Sequence, residues 1–271
     1  MSHINLKIYG GLGNQIFQLA ASLLLGQRNK ITGLNIDESS LSNYNVARYN
    51  ELPNFFDLSK LSVSVRFNES LLMKFRIAKL FAFRVPFNIF VSDKNFQYMF
   101  GLKSGLHMDG YFQKCLTQQN FNQEISLLKN ALIEKHYPIS DKCIIHIRGG
   151  DFVELGWDKV SDLEFYLKAI SYMKNNHQTK YFYVVTDDRA YASRLMSDIG
   201  VNYEFSGQSM EDDFRLIGSH KFRILSSSTF AFWASALGEN NGAVVIAPQY
   251  WSPGSSRKIK LPCEVDLCLD K

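Results

Sequence analysis

Apolar and polar positions first settle into a pattern at Leu6 to Tyr9, which reads as a short strand. The chain then passes through the turn Gly10-Gly11-Leu12-Gly13-Asn14-Gln15. Ile16, Phe17, Leu19, Ala20, Leu23 and Leu24 follow at spacings that place them on one buried helical face. Strand, glycine turn and helix form the opening unit of an α/β domain. Ile31 to Ile36 reads as the next strand, and the stretch from Asn43 to Asn68 as irregular chain with Pro53 inside it. Ser70 to Val85 reads as a helix in which Lys74, Arg76, Lys79 and Arg84 alternate with Leu71, Leu72, Phe75, Leu80, Phe81 and Phe83. Such a segment suits either an anionic membrane surface or a core helix with a solvated basic side. Gly110 to Gln113 forms a turn or strand before a helix over Phe121 to His136.

Tyr137-Pro138-Ile139-Ser140-Asp141 interrupts the pattern and marks a domain boundary, giving domains over 1–139 and 140–271. The second half alternates regularly. Strands are expected over Cys143–Ile147, Tyr181–Thr186, Phe222–Leu225 and Val244–Ala247. Helices are expected over Leu163–Asn175, Arg189–Asp198, Asp212–Ser219 and Phe230–Leu237. This alternation implies a parallel sheet whose ligands sit at the carboxyl ends of the strands.

With 271 residues the chain is long enough for one large or two small cores, and its 46% hydrophobic and 21% charged composition is globular. The 14% aromatic share fits stacking sites for bases or sugars as well as it fits a packed core. A net charge of +4 is too small for a dedicated nucleic-acid binder and compatible with an anionic small substrate. Cys115, Cys143, Cys263 and Cys268 make no CxxC pair or zinc pattern, so reduced thiols in a cytoplasmic protein are expected. The polar start Met1 to Lys7 is unlike a signal peptide, and no apolar run is long enough to span a bilayer.

Four constellations carry candidate chemistry. In His146-Ile147-Arg148-Gly149-Gly150-Asp151, alternation puts His146 and Arg148 on the same side of a strand end. A guanidinium there forks onto phosphate oxygens, or alternatively pairs with Asp151. Ser226-Ser227-Ser228-Thr229 joins a strand to a helix and offers hydroxyls and amides to an anion, or caps the helix. Asp187-Asp188 suits a metal, a ribose or base contact, or a cap for the next helix. The Gly10 to Gln15 turn lacks the complete GxGxxG fingerprint, which argues against a nicotinamide oxidoreductase.

These residues together resemble the α-1,2-fucosyltransferases of glycosyltransferase family 11. Gly10-Gly11-Leu12-Gly13-Asn14-Gln15-Ile16-Phe17-Gln18 resembles the family's GGLGNQxFQ opening, and His146 to Asp151 resembles its HxRRxD motif. Asp213-Phe214-Arg215-Leu216-Ile217 and Ser227-Ser228-Thr229-Phe230-Ala231-Phe232-Trp233 resemble its DxxLM and NSTFSWW segments. Ala247-Pro248-Gln249-Tyr250-Trp251 resembles its closing APxxW.

The resemblance implies a GT-B-like fold of two Rossmann-like α/β domains. The N-terminal one would lie on the acceptor side, its glycine-rich loop facing the cleft, and the C-terminal one would bind the nucleotide sugar. It further implies metal-independent, inverting transfer of L-fucose from GDP-fucose to a galactosyl hydroxyl in surface-polysaccharide synthesis at the cytoplasmic face of the membrane. No cofactor is expected. Segment 70–85 is a candidate for peripheral contact with the inner membrane. Arg148 would take the β-phosphate, His146 and Asp213 would approach guanine, and Ser227, Ser228 and Thr229 would line the diphosphate. Gly11, Gly13, Asn14 and Asp187 join them as candidate donor contacts. Asp151 is the candidate catalytic carboxylate, with Glu154 beside it. One departure stands out: Gly149 occupies the place of the family's second arginine. Arg257 or Lys258 is then a candidate supplement to Arg148, and a non-catalytic nucleotide- or glycan-binding α/β protein is the alternative.

Overall fold

The computed structural model describes residues 3–43, 48–67, 88–102, 105–133, 137, 140–207 and 209–267. The helix expected over 70–85 and Cys268 lie outside them. The chain divides into two units, Met1–Glu134 and Lys135–Lys271, a few residues ahead of the break expected from Tyr137 to Asp141.

The first unit holds a five-stranded sheet, all parallel, in the order β3-β2-β1-β5-β4. Its strands are β1 (His3–Lys7), β2 (Gly33–Asp37), β3 (Ser64–Phe67), β4 (Asn88–Val91) and β5 (Gly105–Asp109). In β1 the buried Ile4 and Leu6 alternate with His3, Asn5 and Lys7, the period expected of a strand in a layered α/β unit. Helix α1 (Leu12–Asn29) is buried on nearly all sides, which explains why its apolar pattern continues beyond a single stripe. Helix α2 (Gln118–Ala131) follows β5 and is capped by the Thr117 side chain, which accepts from the Asn120 amide. The chain winds outward from β1 through β2 to β3, then returns to the other side through β4 and β5. The order of winding therefore reverses between β1 and β5.

The second unit repeats the architecture with strands in the order β10-β9-β6-β7-β8, again all parallel. Its strands are β6 (Ser140–Ile147), β7 (Phe182–Thr186), β8 (Tyr203–Phe205), β9 (His220–Ile224) and β10 (Val244–Ile246). Its longer helices are α3 (Leu163–His177), α4 (Arg189–Ile199), α5 (Met210–Ser219) and α6 (Thr229–Leu237). Asp162, Asp188 and Ser209 cap α3, α4 and α5 by accepting first-turn amides. Cys143, Ile145 and Ile147 of β6 pack with Phe165, Ile170 and Met173 of α3, Val184 of β7 and Met196 of α4 in the core. Here the winding reverses between β6 and β9, the place where open α/β sheets bind ligands.

Candidate active site

Two loops leave the carboxyl ends of β6 and β9, on either side of this reversal. His146 lies within β6, is 4% exposed, and shares a 2.8 Å hydrogen bond between Nδ1 and the Ser226 hydroxyl. The hydrogen bond thus ties the β6 loop to the β9 loop. Burial, reinforced by the charge of Arg148, pushes this imidazole down to about 3, so the ring stays neutral at physiological pH. The Tyr166 hydroxyl donates to the His146 carbonyl at 2.9 Å and fixes the strand end from α3.

Arg148 emerges one residue beyond β6. Its Nη2 meets Asp151 Oδ1 at 2.6 Å and its Nη1 meets Asp187 Oδ2 at 2.8 Å. The ion pair with Asp151 is therefore real, and Asp187 joins it from the end of β7. The guanidinium also lies 5.1 Å from the ring centre of Phe152. Asp187 Oδ1 accepts the Gly149 amide at 2.9 Å, while Asp188 accepts the amides of Gly150 and Tyr191 at 3.3 and 3.0 Å. All four oxygens of the Asp187-Asp188 pair are thus engaged in holding Arg148, the Gly149-Gly150 turn and the start of α4. A Cβ on Gly149 would stand 2.6 Å from the Cβ of Asp188, so the close approach of these two loops requires glycine.

On the β9 side Ser226, Ser227 and Ser228 are each about 5% exposed or less. The Ser227 hydroxyl has no hydrogen-bond partner among the described residues. Ser228 is the N-cap of α6 and makes no side-chain capping bond, and a helix N-terminus of this kind favours an anion. Thr229 is the first helical residue.

Beyond β7 and β8 lies a cavity of about 150 Å³ lined by Val184, Thr186, Arg189, Phe205, Ser206, Gly207 and Asp213. Arg189 stacks its guanidinium 5.2 Å from the Phe205 ring centre. Burial pushes the Asp213 carboxyl up to about 6, with a bond to Ser206 opposing the shift. Among the described residues its buried Oδ1 has no hydrogen-bond partner. A carboxyl acceptor and a guanidinium donor thus line one cavity. Sequence reasoning singled out Asp213 but not Arg189, which opens α4, or Phe205, whose strand β8 is three residues long and too short to read.

Arg257 does not supply a second open charge. Its side chain is 4% exposed, bonds both oxygens of Glu264, and donates to the Pro248 carbonyl at 3.0 Å. It lies over Phe232, which packs against Trp251, so the residues of the closing motif build a structural corner. Lys258 is exposed.

In the first unit Gly11, Gly13 and Asn14 sit at the head of α1. Asn14 Oδ1 accepts from the Gln113 side chain at 2.9 Å. Gln15 donates to the carbonyls of Gly10 and Tyr49, and Gln18 donates to that of Gly110. These amides clamp the loops at the carboxyl end of the sheet, a task whose only sequence signal is a buried amide on an otherwise apolar helix. None of the described cysteines is joined in a disulfide. Among the described residues no helix is long and apolar enough to cross a membrane.

A family model described as glycosyl transferase family 11 matches residues 110–261. The chain is 23% identical to the O-antigen biosynthesis glycosyltransferase WbnK of Escherichia coli, over 92% of this chain and 94% of that protein. It is 24% identical to an alpha-1,2-colitosyltransferase of Escherichia coli, over 93% of each. Among solved structures, the alpha-1,6-fucosyltransferase NodZ of Bradyrhizobium, co-crystallised with GDP, aligns with a TM-score of 0.56 at 17% identity. That alignment covers 88% of this chain and 92% of that one. The likeness, with two parallel α/β units, shows a GT-B-like fold.

Proposed function

Because the chain belongs to glycosyl transferase family 11, we propose that it moves L-fucose from GDP-β-L-fucose to the 2-hydroxyl of a galactosyl acceptor, with inversion at the anomeric carbon. The observation that carries this reading is the reversal point of the second sheet. Arg148 and the N-terminus of α6 flank it, and a cavity with Asp213 and Arg189 lies beside it.

The diphosphate is the group that gains negative charge as the glycosidic bond breaks. Arg148 and the α6 amides neutralise that charge, with the buried Ser227 hydroxyl as a further donor. The cavity takes the base. Guanine presents N1–H and N2–H to the Asp213 carboxylate and O6 and N7 to Arg189, whereas adenine offers the carboxylate no matching pair of donors. His146 holds the two loops together through Ser226, and its part is positioning. The acceptor 2-hydroxyl attacks the anomeric carbon as the bond to the β-phosphate oxygen breaks and GDP leaves. Asp151, released from Arg148 when the diphosphate takes the guanidinium, accepts the hydroxyl proton. No cofactor or metal takes part.

The name of the O-antigen biosynthesis relative supports a precursor of O-antigen type as acceptor. The test is GDP release from GDP-fucose with a β-galactoside, with GDP-colitose as a second donor and the product linkage read by NMR. An α-1,2-linked fucosyl product is expected. Tight GDP binding without release from either donor would favour the non-catalytic nucleotide-binding reading.

A further inference from the structure

The first sheet has its own reversal point, between β1 and β5. Lys7 and Asp109, the last residues of these two strands, are register partners. Two residues beyond each strand end stands a tyrosine: Tyr9 after β1 and Tyr111 after β5. Their ring centres are 5.8 Å apart, with the planes inclined at 42°. The Tyr9 hydroxyl donates a short hydrogen bond to Asp109, and Lys7 lies 5.0 Å over the Tyr9 ring. Tyr111 remains 43% exposed.

The loop that presents Tyr111 is held against its own backbone preference. Phe112 is fully buried and has φ +58°, a conformation that side chains with a Cβ seldom adopt. Asp93 fixes it by accepting the amides of Tyr111 and Phe112 at 3.1 and 2.7 Å. Gly110 is needed just before, since a Cβ there would stand 2.3 Å from Asp93 Oδ2. An exposed ring kept in place by a strained, doubly anchored turn is the pattern of a ligand clamp rather than of a surface loop.

We propose that Tyr111, with Tyr9 and Asp109 behind it, is a binding platform for a neutral hexopyranoside of galactose type. The proposal rests on the glycosyltransferase reading for its biological sense, but its geometry is independent of the donor site. The apolar C–H face of a galactopyranose stacks on the Tyr111 ring, and its hydroxyls donate to the Asp109 carboxylate. Aromatic walls with a few polar groups are how small polar ligands are both held and oriented.

The test uses the full chain and methyl β-galactoside. Saturation-transfer NMR without donor reads binding directly, while steady-state kinetics reads acceptor KM and calorimetry reads the GDP Kd. Tyr111→Ala should abolish the saturation transfer and raise acceptor KM by about tenfold, the scale of one lost aromatic contact. GDP Kd should not move, and Tyr111→Phe should behave as wild type. A saturation-transfer signal that is absent in the wild type, or unchanged in Tyr111→Ala, overturns the platform. Equal loss of sugar and GDP binding also overturns it, since that marks collapse of the turn. A Tyr111-dependent signal in a protein that transfers no fucose sustains the platform and refutes the catalytic reading instead.

Discussion

Arg148 stands between two carboxylates that reach it from different strands' ends: Asp151 at 2.6 Å on Nη2 and Asp187 at 2.8 Å on Nη1. Asp187 orients the guanidinium and, through its other oxygen, the Gly149 amide. With glycine in the next position, no adjacent arginine can replace the charge. Arg148→Ala should lower kcat/KM by at least ~100-fold, about 2.7 kcal/mol at 1.36 kcal/mol per decade. Arg148→Lys should recover little, because a point charge cannot make the planar two-pronged contact. Asp187→Asn should fall between the two, since it keeps the acceptor for Gly149 and loses only the charge. Thermal melts of the three variants should stay near wild type. An Arg148→Ala protein that melts early, with normal turnover in its folded fraction, would make the pair purely structural.

Asp213 gives GDP binding a pH dependence. Burial lifts its folded pKa to about 6, and in the proposed mode of donor binding it is the ionised carboxylate that accepts the base N–H groups. GDP affinity should be flat above about pH 6 and weaken by about tenfold per unit below it, as protonation removes the acceptor. Asp213→Asn should bind GDP more weakly and lose this slope. Calorimetry from pH 5 to 8 decides the matter, and an unchanged slope in the variant would assign it to another group. The same titrations with UDP and ADP should show little binding at any pH.

Catalysis should not need a divalent ion. The acid pair that most resembles a metal site, Asp187-Asp188, has its oxygens taken by Arg148, Gly149, Gly150 and Tyr191. Full turnover is expected in excess EDTA. Loss of activity that Mn²⁺ or Mg²⁺ restores would show that this network opens to a metal when the donor binds.

Much of this was legible in the sequence where local pattern and tertiary role agree. β6, β7, β9 and β10 lie where their apolar runs stand, with ends shifted by a few residues, because buried parallel strands are continuous apolar stretches. β3 was hidden in a stretch read as irregular, since it is an edge strand with mostly exposed side chains. β4 and β5 escaped for a different reason: β5 buries Leu106, His107 and Met108 in succession and shows no alternation. At the site, the motif residues around Arg148 and Ser226 stand on the loops that follow β6 and β9, at the reversal of the second sheet. What they could not convey is who holds whom, because the bonds from His146 to Ser226 and from Arg148 to Asp187 join residues 80 and 39 positions apart, set by strand order rather than by spacing.

Glu124 takes no part in the chemistry proposed above. It lies on α2 with no exposed surface, and among the described residues neither carboxyl oxygen has a hydrogen-bond partner. Burial pushes its pKa up to about 8 from an ordinary 4.5, so the folded protein keeps this proton at neutral pH while the unfolded chain has released it. The sign follows from the linkage between proton binding and folding. The raised folded value makes the stabilising contribution full below about 4.5, and it is lost progressively as pH rises to about 8. The steepest slope one proton can give is about 1.4 kcal/mol per pH unit. Glu124→Met fills similar volume without the charge, so urea midpoints at pH 5, 6.5 and 8.5 should show the variant gaining on wild type as pH rises. Near pH 5 the two should be closest, since there both side chains are uncharged in the folded state and the unfolded glutamate is only part ionised. Parallel curves across the range would mean that Glu124 is already ionised in the fold, with a partner that neutralises it.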